Sequence, residues 1–564
     1  MSRSDAVPTT RPVHHAAHRA DDGPQPHRML VLAVLALSQL MIVLDTTVVT
    51  IALPSAQHDL GFTTGQRQWI ITAYALAFGS LLLFCGRLTD LLGRKNTLII
   101  GLIGFAAASA VGGAAVGFGM LVTARAVQGC FAALLAPSVL SLLTTTFTAA
   151  KERGRAFGVF GAVVGSGAAV GLLLGGFLTE YFSWRWCLFV NLVFALVALV
   201  GAALLIRPRR EAHRARLDVP GMLTASAGLF ALVYGFSNAV VNGEANWDDP
   251  VTIGFLAAAL VLLAAFAAIQ LRVRHPLLPL GVITHRYRGP AFGSLLLGSA
   301  GLFGVLLFAT YYVQQTLGYS AVRTGVAFLP MVLCLMASSV TSNVVLIRRV
   351  SPRILIPTGL TVAALSMVLF TRIGVDSTYA GVLLPPLMLL GIGLGMAFST
   401  SINLATLEVT DDQAGPASAS VNTAQQVGAA VGTALLNTLA IQASTAYASA
   451  HKAGVLGPVA AAKTTVATAK KAIAAAAVHG PAAAQAAQQK WAAALAHAKE
   501  VLKHAPDAVA ALTAHTALAG YVVAFWWGAG LFLAGAIVTA LLLRSAVPAA
   551  LRHAPSADSA PARP

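Results

Sequence analysis

Runs of about twenty mostly apolar residues recur about fourteen times along this 564-residue chain. Each run is long enough to cross a bilayer as a helix. The runs cover residues 30–53, 68–86, 97–117, 119–143, 156–179, 186–206, 219–240, 251–271, 290–313, 325–347, 354–374, 379–405, 416–441 and 516–543. Only 10% of the residues are charged, against about 25% in soluble proteins. The sequence therefore predicts an all-α, polytopic membrane protein with fourteen transmembrane helices.

The cationic residues are distributed unevenly between the connecting segments. Of the 37 Lys and Arg residues, 25 lie in the tails and loops on one side of the expected membrane. The short loops on the other side hold four, one long loop there holds seven lysines, and Arg125 lies inside a span. Because short cytoplasmic loops carry the excess of Lys and Arg, we expect a multi-pass protein of the cell membrane with both termini in the cytoplasm. Cations scattered in this way give no basic face for nucleic acid.

The predicted spans are grouped as six, two and six. Residues 30–206 form a predicted N-terminal six-helix bundle, 207–289 a linker with two inserted transmembrane helices, and 290–544 a C-terminal six-helix bundle. Residues 1–29 and 545–564 are polar and are predicted to be disordered cytoplasmic tails. Two six-span halves are typical of transporters whose binding site lies between parallel repeats.

One outward loop, residues 442–515, is much longer than the others. Its alanine-rich blocks, around 458–478 and 482–504, flank His479-Gly480-Pro481, which predicts two helices joined by a tight turn. The lysines of both blocks would be costly in hydrocarbon, so we expect an extracellular hairpin. Its role is open between a spacer, a lid over the outer exit and a binding surface for a partner.

Asp45 in the first span and Arg125 in the fourth are the formal charges that lie well inside a span. Ionisable residues within the membrane are functional candidates. At about 1.5 Å per residue, Asp45 lies about 12 Å and Arg125 about 9 Å below the outer ends of their helices, so they share a similar depth. Burial disfavours a charged carboxylate and a nearby cation favours it. Asp45 is therefore a candidate site for taking up and releasing a proton, and a static structural pair is the alternative.

Glycine-containing patterns mark two further segments. A short inward turn after the second span contains Gly86, Asp90, Gly93 and Arg94. Glycine permits close helix approach, and Asp90 can face a helix N-terminus or a cation, so this turn is a predicted conformational latch. The fifth span contains Gly167, Gly171, Gly175 and Gly176. This spacing predicts a hinge or sliding seam, with tight packing as the alternative.

Together these segments resemble the major facilitator superfamily and, within it, the fourteen-span drug/proton antiporter family. Gly86 to Lys95 resembles the superfamily signature between spans two and three, and Leu121 to Gly129 resembles the arginine-bearing motif of span four. Further matches are Leu44 to Pro54, Trp184-Arg185-Trp186 with Asn191, His275 to Pro279, and Gly318 to Pro330. The chain departs from the antiporter pattern where Leu172 replaces the proline after the central glycine of span five, and where Leu192 follows Asn191.

The resemblance implies proton-coupled export of small amphipathic molecules, such as drugs or antibiotics, by alternating access between two six-span halves. Asp45 would be the proton site and Arg125 its partner. The expected partners are a small-molecule substrate, protons and the lipid bilayer, and a monomer without cofactor or metal is expected. A dedicated exporter of one endogenous metabolite, lipid or self-made antibiotic is the first alternative. The second is a non-transporting membrane protein that binds a partner through its extracellular hairpin.

A pocket for amphipathic ligands should be apolar and aromatic, with a few polar groups. The candidate residues are Trp69, Tyr74, Phe78, Tyr311, Tyr312, Gln315, Phe398, Asn403, Asn422 and Gln426. An enzyme is not expected, because the sequence contains no P-loop, metal-ligand cluster or nucleophile motif in a fitting context.

Overall fold

The chain is almost entirely helical in the part that its computed structural model describes, namely residues 27–147, 150–207, 218–241, 244–245, 247–273, 286–405 and 414–543. A two-stranded antiparallel hairpin, β1 (Val240–Val241) and β2 (Glu244–Ala245), is the exception within these residues. The described residues begin at 27 and end at 543, so residues 1–26 and 545–564 of the predicted tails lie outside them.

Fourteen long helices follow one another along the described part of the chain. The first six are α1 (Arg28–Leu60), α2 (Thr64–Leu92), α3 (Arg94–Gly113), α4 (Phe118–Thr146), α5 (Ala150–Tyr181) and α6 (Trp186–Leu205). The next two are α7 (Val219–Asn238) and α8 (Pro250–Arg272). The later helices are α9 (Arg288–Tyr311), α10 (Ala321–Thr341), α11 (Pro352–Phe370), α12 (Leu384–Ala405), α13 (Ala414–Ala477) and α14 (Pro481–Leu542). Single π-helical turns are Tyr312–Thr316 after α9, Ser342–Leu346 after α10 and Tyr379–Leu383 before α12.

Twelve helices in the described part of the chain are long and apolar enough to cross a membrane. The other two, α2 and α5, contain shorter apolar stretches, Trp69–Leu82 and Val170–Tyr181. The prediction of an all-helical protein that crosses the membrane many times is therefore confirmed. The number of fourteen spans stays a prediction.

Polar and glycine residues set the helix ends. Thr63 and Gln66 form a capping box at the start of α2, in which each side chain binds the backbone of the other residue. Gly93 ends α2 and precedes α3 with a φ of 85°, a left-handed conformation that favours glycine. The predicted inward turn is thus a helix end followed at once by a new helix.

The helices pack as two groups. In the N-terminal group, α1 packs against α5 and α6, and α4 packs against α2 and α3. In the C-terminal group, α9 packs against α13 and α14, and α12 packs against α10 and α11. Two seams join the groups, one between α2 and α13 and the other between α5 and α10. The pair α7 and α8 lies beside the first seam, where Val233 joins an apolar cluster with Ala75, Leu76, Ala430 and Ala434.

The last two helices are far longer than a bilayer crossing requires. Helix α13 has 64 residues and is therefore about 96 Å long, against about 30 Å of hydrocarbon. The predicted turn separates it from α14, and Gly480 adopts a φ of 112° there. The predicted alanine-rich blocks are correct as helices, but each is continuous with the adjoining span. The reason is that residues 442–457 and 505–515 contain many good helix formers.

Candidate functional site

A buried polar network surrounds Asp45 of α1. Its Oδ2 accepts a hydrogen bond from Arg125 Nη1 at 2.6 Å. Its Oδ1 accepts hydrogen bonds from Gln128 Nε2 and Asn191 Nδ2, both at 2.8 Å. Ser109 Oγ accepts from Gln128 and Asn191 at 3.2 and 3.0 Å. All five side chains are at most 2% exposed, so helices α1, α3, α4 and α6 meet at one closed polar site.

The electrostatics of this network centre on a single ion pair. Buried charges persist when they are paired and hydrogen-bonded, and Asp45 satisfies this condition with three donors. Arg125 Nη1 also donates to Gln128 Oε1 at 2.6 Å, and its guanidinium carbon lies 4.3 Å from the centre of the Tyr74 ring. Protonation of the carboxylate would put a donor where Arg125, Gln128 or Asn191 now donates. Gain of a proton would therefore weaken the contacts of α1 with α4 or α6.

A small cavity lies beside Arg125, on the predicted outer side of Asp45. Its volume is about 10 Å³, close to the minimum that one water molecule needs. Apart from Arg125 its lining is largely apolar, and it consists of Val49, Ala52, Leu53, Ala56, Ile70, Leu121, Trp184, Cys187 and Leu188. The space is too small for an amphipathic ligand in this conformation.

The end of α1 that is predicted to face outward carries a second, more exposed aspartate. Asp59 Oδ2 accepts hydrogen bonds from Trp184 Nε1 and Arg185 Nη2, both at 3.0 Å. Arg185 and Asp59 side chains are 31% and 50% exposed. All three residues belong to the N-terminal group, so this pair does not join the two groups.

The two groups touch each other at the ends that are predicted to face outward. Glu180 Oε2 accepts a hydrogen bond from Val322 N at 2.9 Å. A Cβ atom at Gly176 would lie 2.7 Å from Ala321 O, and one at Gly325 would lie 2.5 Å from a backbone oxygen of α5. The backbones of α5 and α10 are therefore in direct contact, and the described structure is closed at this end.

The glycines of α5 face two different helices. A Cβ atom at Gly167, Gly171 or Gly175 would collide with residues of α1, namely Leu40, Thr47 and Val48 respectively. Gly176 faces α10 instead. The fifth-span glycines thus contribute both to packing inside the N-terminal group and to the seam between groups, and their hinge role stays a prediction.

The predicted latch is described only in part. Lys95 Nζ donates to Ala203 O at 2.9 Å, which ties the start of α3 to the end of α6. A Cβ atom at Gly86 would make an ordinary contact with Pro137 of α4, and Arg94 is half-buried. The side chain of Asp90 lies outside the described residues. Its latch function therefore stays a prediction.

The predicted pocket residues of α2 lie in two places. Tyr74 and Phe78 are buried, with ring centres 5.8 Å apart, and Tyr74 adjoins Arg125. Trp69 instead packs against Tyr234 of α7, with ring centres 5.7 Å apart.

The remaining pocket candidates lie in the C-terminal group. Tyr311 and Tyr312 are buried, and Gln315 is exposed near them. The other candidates are half-buried residues of α12 and α13: Phe398, Asn403, Asn422 and Gln426. Gln426 adjoins Gly79 at the seam between α2 and α13, and Asn403 donates to Asn343 at 2.6 Å. The described residues do not bring the ten candidates into one cluster.

Sequence reasoning identified the ion pair but assigned no role to Gln128, Asn191 or Ser109. Each is a polar residue within an apolar span, and Gln128 follows Arg125 by three positions, on the same helix face. That spacing is the signal that could have placed Gln128 in the site. The sequence prediction also assigned no role to Arg67, which lies buried at the start of α2.

Comparison with known proteins identifies relatives along most of the chain. Residues 35–433 match the sequence profile of the family described as Major Facilitator Superfamily. The chain is 50% identical over 442 residues to the puromycin resistance protein pur8 of Streptomyces alboniger, covering 78% of this chain and 86% of that protein. It is 38% identical over 415 residues to the cephamycin export protein CmcT of Amycolatopsis lactamdurans, covering 73% and 84%.

A third relative and a solved structure agree with this match. The tetracenomycin C resistance and export protein of Streptomyces glaucescens is 33% identical over 424 residues, covering 75% of this chain and 78% of that protein. A bacterial homologue of the human lysosomal transporter Spinster, in an inward-facing and unoccupied conformation, has a TM-score of 0.56 at 16% identity. The match covers 93% of this chain and 100% of that structure's chain. At this identity the similarity concerns the fold alone.

Proposed function

The chain belongs to the Major Facilitator Superfamily, and on that basis we propose that it exports small amphipathic molecules, including antibiotics, in exchange for protons. Relatives named for puromycin resistance and cephamycin export support the substrate class. The observation that carries the coupling is the buried carboxylate of Asp45, held by one cation and two amides in a site with room for little more than water. Such a group can hold and release a proton when access changes.

The proposed architecture has fourteen spans, with α2 and α5 as the crossings that complete the twelve apolar helices. In this proposal the protein lies in the cell membrane with both termini in the cytoplasm, and it functions as a monomer. The N-terminal bundle covers residues 30–206, the inserted pair lies within 207–289, and the C-terminal bundle covers 290–544 and includes the extracellular hairpin. The uneven distribution of Lys and Arg supports this orientation.

A direct line of contacts supports coupling between the proton site and the seam. Asp45 lies on α1 close to Thr47 and Val48, which pack against Gly171 and Gly175 of α5. The next residue of α5, Gly176, touches α10. A proton on Asp45 weakens the contacts of α1 with α4 and α6. Because α1 packs on α5, gain or loss of that proton is transmitted to the seam with α10.

A narrower substrate range is a second candidate. The three relatives above carry the names of puromycin, cephamycin and tetracenomycin C, one compound each. A dedicated exporter would select one such compound through polar contacts, whereas an apolar pocket discriminates weakly between molecules of similar size.

Efflux from liposomes that contain the purified protein tests this proposal. Puromycin, cephamycin, tetracenomycin C and two cationic dyes are offered with and without an imposed pH gradient. Gradient-dependent movement of several compounds supports a broad exporter, and movement of one compound supports a dedicated exporter. The absence of movement for every compound, with a correctly folded protein, would favour a membrane protein that acts through its hairpin and would contradict proton-coupled export.

A further inference from the structure

Arg67, near the start of α2, is a buried cation that has no acidic partner among the described residues. Its side chain belongs to a residue that is 3% exposed. Nη1 donates to Gln57 Oε1 at 2.9 Å, and Nε has no hydrogen-bond partner. The ion pairs of the described residues do not include Arg67. An arginine cannot lose its charge in a protein, so burial of this guanidinium carries a desolvation cost that no carboxylate offsets.

The face of an aromatic ring takes the place of the missing anion. The guanidinium carbon of Arg67 lies 3.3 Å from the centre of the Tyr311 ring, a contact that is strongest when water is excluded. Tyr311 is 2% exposed, and its hydroxyl has no partner. The Phe308 ring packs against the Tyr311 ring, with ring centres 6.4 Å apart, and Tyr521 packs in turn against Phe308 at 6.0 Å.

The contact connects the two groups of helices at the predicted outer end. Arg67 belongs to α2 in the N-terminal group, whereas Tyr311 ends α9 in the C-terminal group. One turn further, Gln314 Nε2 donates to Ile51 O of α1 at 3.3 Å. Two other arginines at the predicted outer end differ, because Arg185 pairs with Asp59 and Arg323 covers the Tyr319 ring at 3.8 Å, each inside one group.

We propose that Arg67 and Tyr311 form the outer gate of the transport cycle. This inference rests on the alternating-access part of the proposed function. When the two groups are in contact, the Tyr311 ring binds the Arg67 guanidinium, and water does not reach the guanidinium. When the groups separate, Arg67 loses the ring but gains hydration, which offsets part of the free energy of the lost contact. A contact of this kind closes the outer end and still permits it to reopen.

A distance measurement between spin labels tests the gate without a substrate. Cysteines at His58 and Asp376, which are exposed on the outer ends of the two groups, carry the labels in the full-length protein in nanodiscs. Native Cys85 and Cys187 are buried, and Cys130 and Cys334 are half-buried. Tyr311→Leu removes the ring and leaves the guanidinium buried alone, so we expect the long-distance population to rise about tenfold. Arg67→Ala should raise it several-fold.

The double variant and three controls separate a gate from general loss of packing. Arg67→Ala with Tyr311→Leu should open no more than Tyr311→Leu alone, because the two side chains act through one contact. Tyr311→Phe keeps the ring and removes only the unpartnered hydroxyl, so it should remain closed. Arg323→Ala and Tyr319→Leu remove a similar contact within one group and should leave the distances unchanged.

Two results would overturn the gate. One is a distance distribution for Tyr311→Leu and Arg67→Ala that matches wild type, and the other is an equal shift in Arg323→Ala. If Tyr311→Leu does not fold, the other two variants still test the gate. The long-distance population should rise in Arg67→Ala and stay at the wild-type level in Tyr311→Phe. Failure of proton-driven export is a separate outcome, since outer opening that depends on Arg67 can occur without proton coupling.

Discussion

Replacing Asp45 by asparagine should destabilise the fold as well as stop coupling. Asparagine keeps the size of the side chain but has one acceptor oxygen, whereas three donors converge on Asp45 in the native network. Arg125, which is 2% exposed, would then be buried without a counter-ion. Removal of one partner of a buried ion pair costs about 3–5 kcal/mol. We expect the free energy of unfolding of Asp45→Asn to fall by that amount.

A second substitution should reverse the loss of stability but not the loss of transport. In the double variant Asp45→Asn with Arg125→Gln, neither residue is charged, and the free energy of unfolding should return to within about 2 kcal/mol of wild type. The matched control is Asp59→Asn, which removes an exposed pair with Arg185 and should cost about 0–1 kcal/mol. Unfolding in mixed detergent micelles of increasing denaturing strength measures all three variants.

Two results would refute this reasoning. A single variant Asp45→Asn as stable as wild type would show that the ion pair contributes little to the packing of α1 against α4. A stable double variant that exports at the wild-type rate under a pH gradient would show that Asp45 and Arg125 form a structural pair. In that case the proton would be carried elsewhere.

Three further perturbations address other parts of the molecule. Asn191→Leu removes one donor to the Asp45 carboxylate, so the free energy of unfolding should fall by about 1–3 kcal/mol, whereas unchanged unfolding would exclude this contact. Gly176→Ala should raise the outward-open population in spin-label distances because its Cβ would meet the α10 backbone, while Gly175→Ala, which meets α1, should not. Deletion of 455–505 with a flexible linker should leave a folded protein by size-exclusion chromatography; export then persists for a spacer and falls for a lid, and misfolding would contradict both.

The ion pair could be predicted because charge inside an apolar span is rare and conspicuous. Asp45 and Arg125 were placed at similar depth from the helical rise alone, and they are in contact in the structure. Gln128, Asn191 and Ser109 could not be placed in the same way. Neutral polar residues occur in many spans, and which of them face one another depends on the rotation of each helix about its axis.

The gate and the pocket show a different limit of sequence reasoning. Arg67 follows a capping box at the predicted end of a loop, and its ring contact is with Tyr311, a residue more than 240 positions away in the sequence. The aromatic pocket candidates were chosen by residue type, but Tyr and Trp also gather at membrane interfaces. Tyr311 and Trp69 are accordingly found in different contacts, one beneath Arg67 and the other against α7.

The most direct test of coupling records the proton itself. Liposomes with a pH-sensitive dye inside receive a transported compound at equal pH on both sides, so that downhill movement of the compound must drive protons the other way. We predict a change in internal pH for wild type and for Asp59→Asn, and none for Asp45→Asn although the compound still exchanges across the membrane. A wild-type pH change in Asp45→Asn, or none in the wild type while the compound moves, would contradict proton exchange through Asp45.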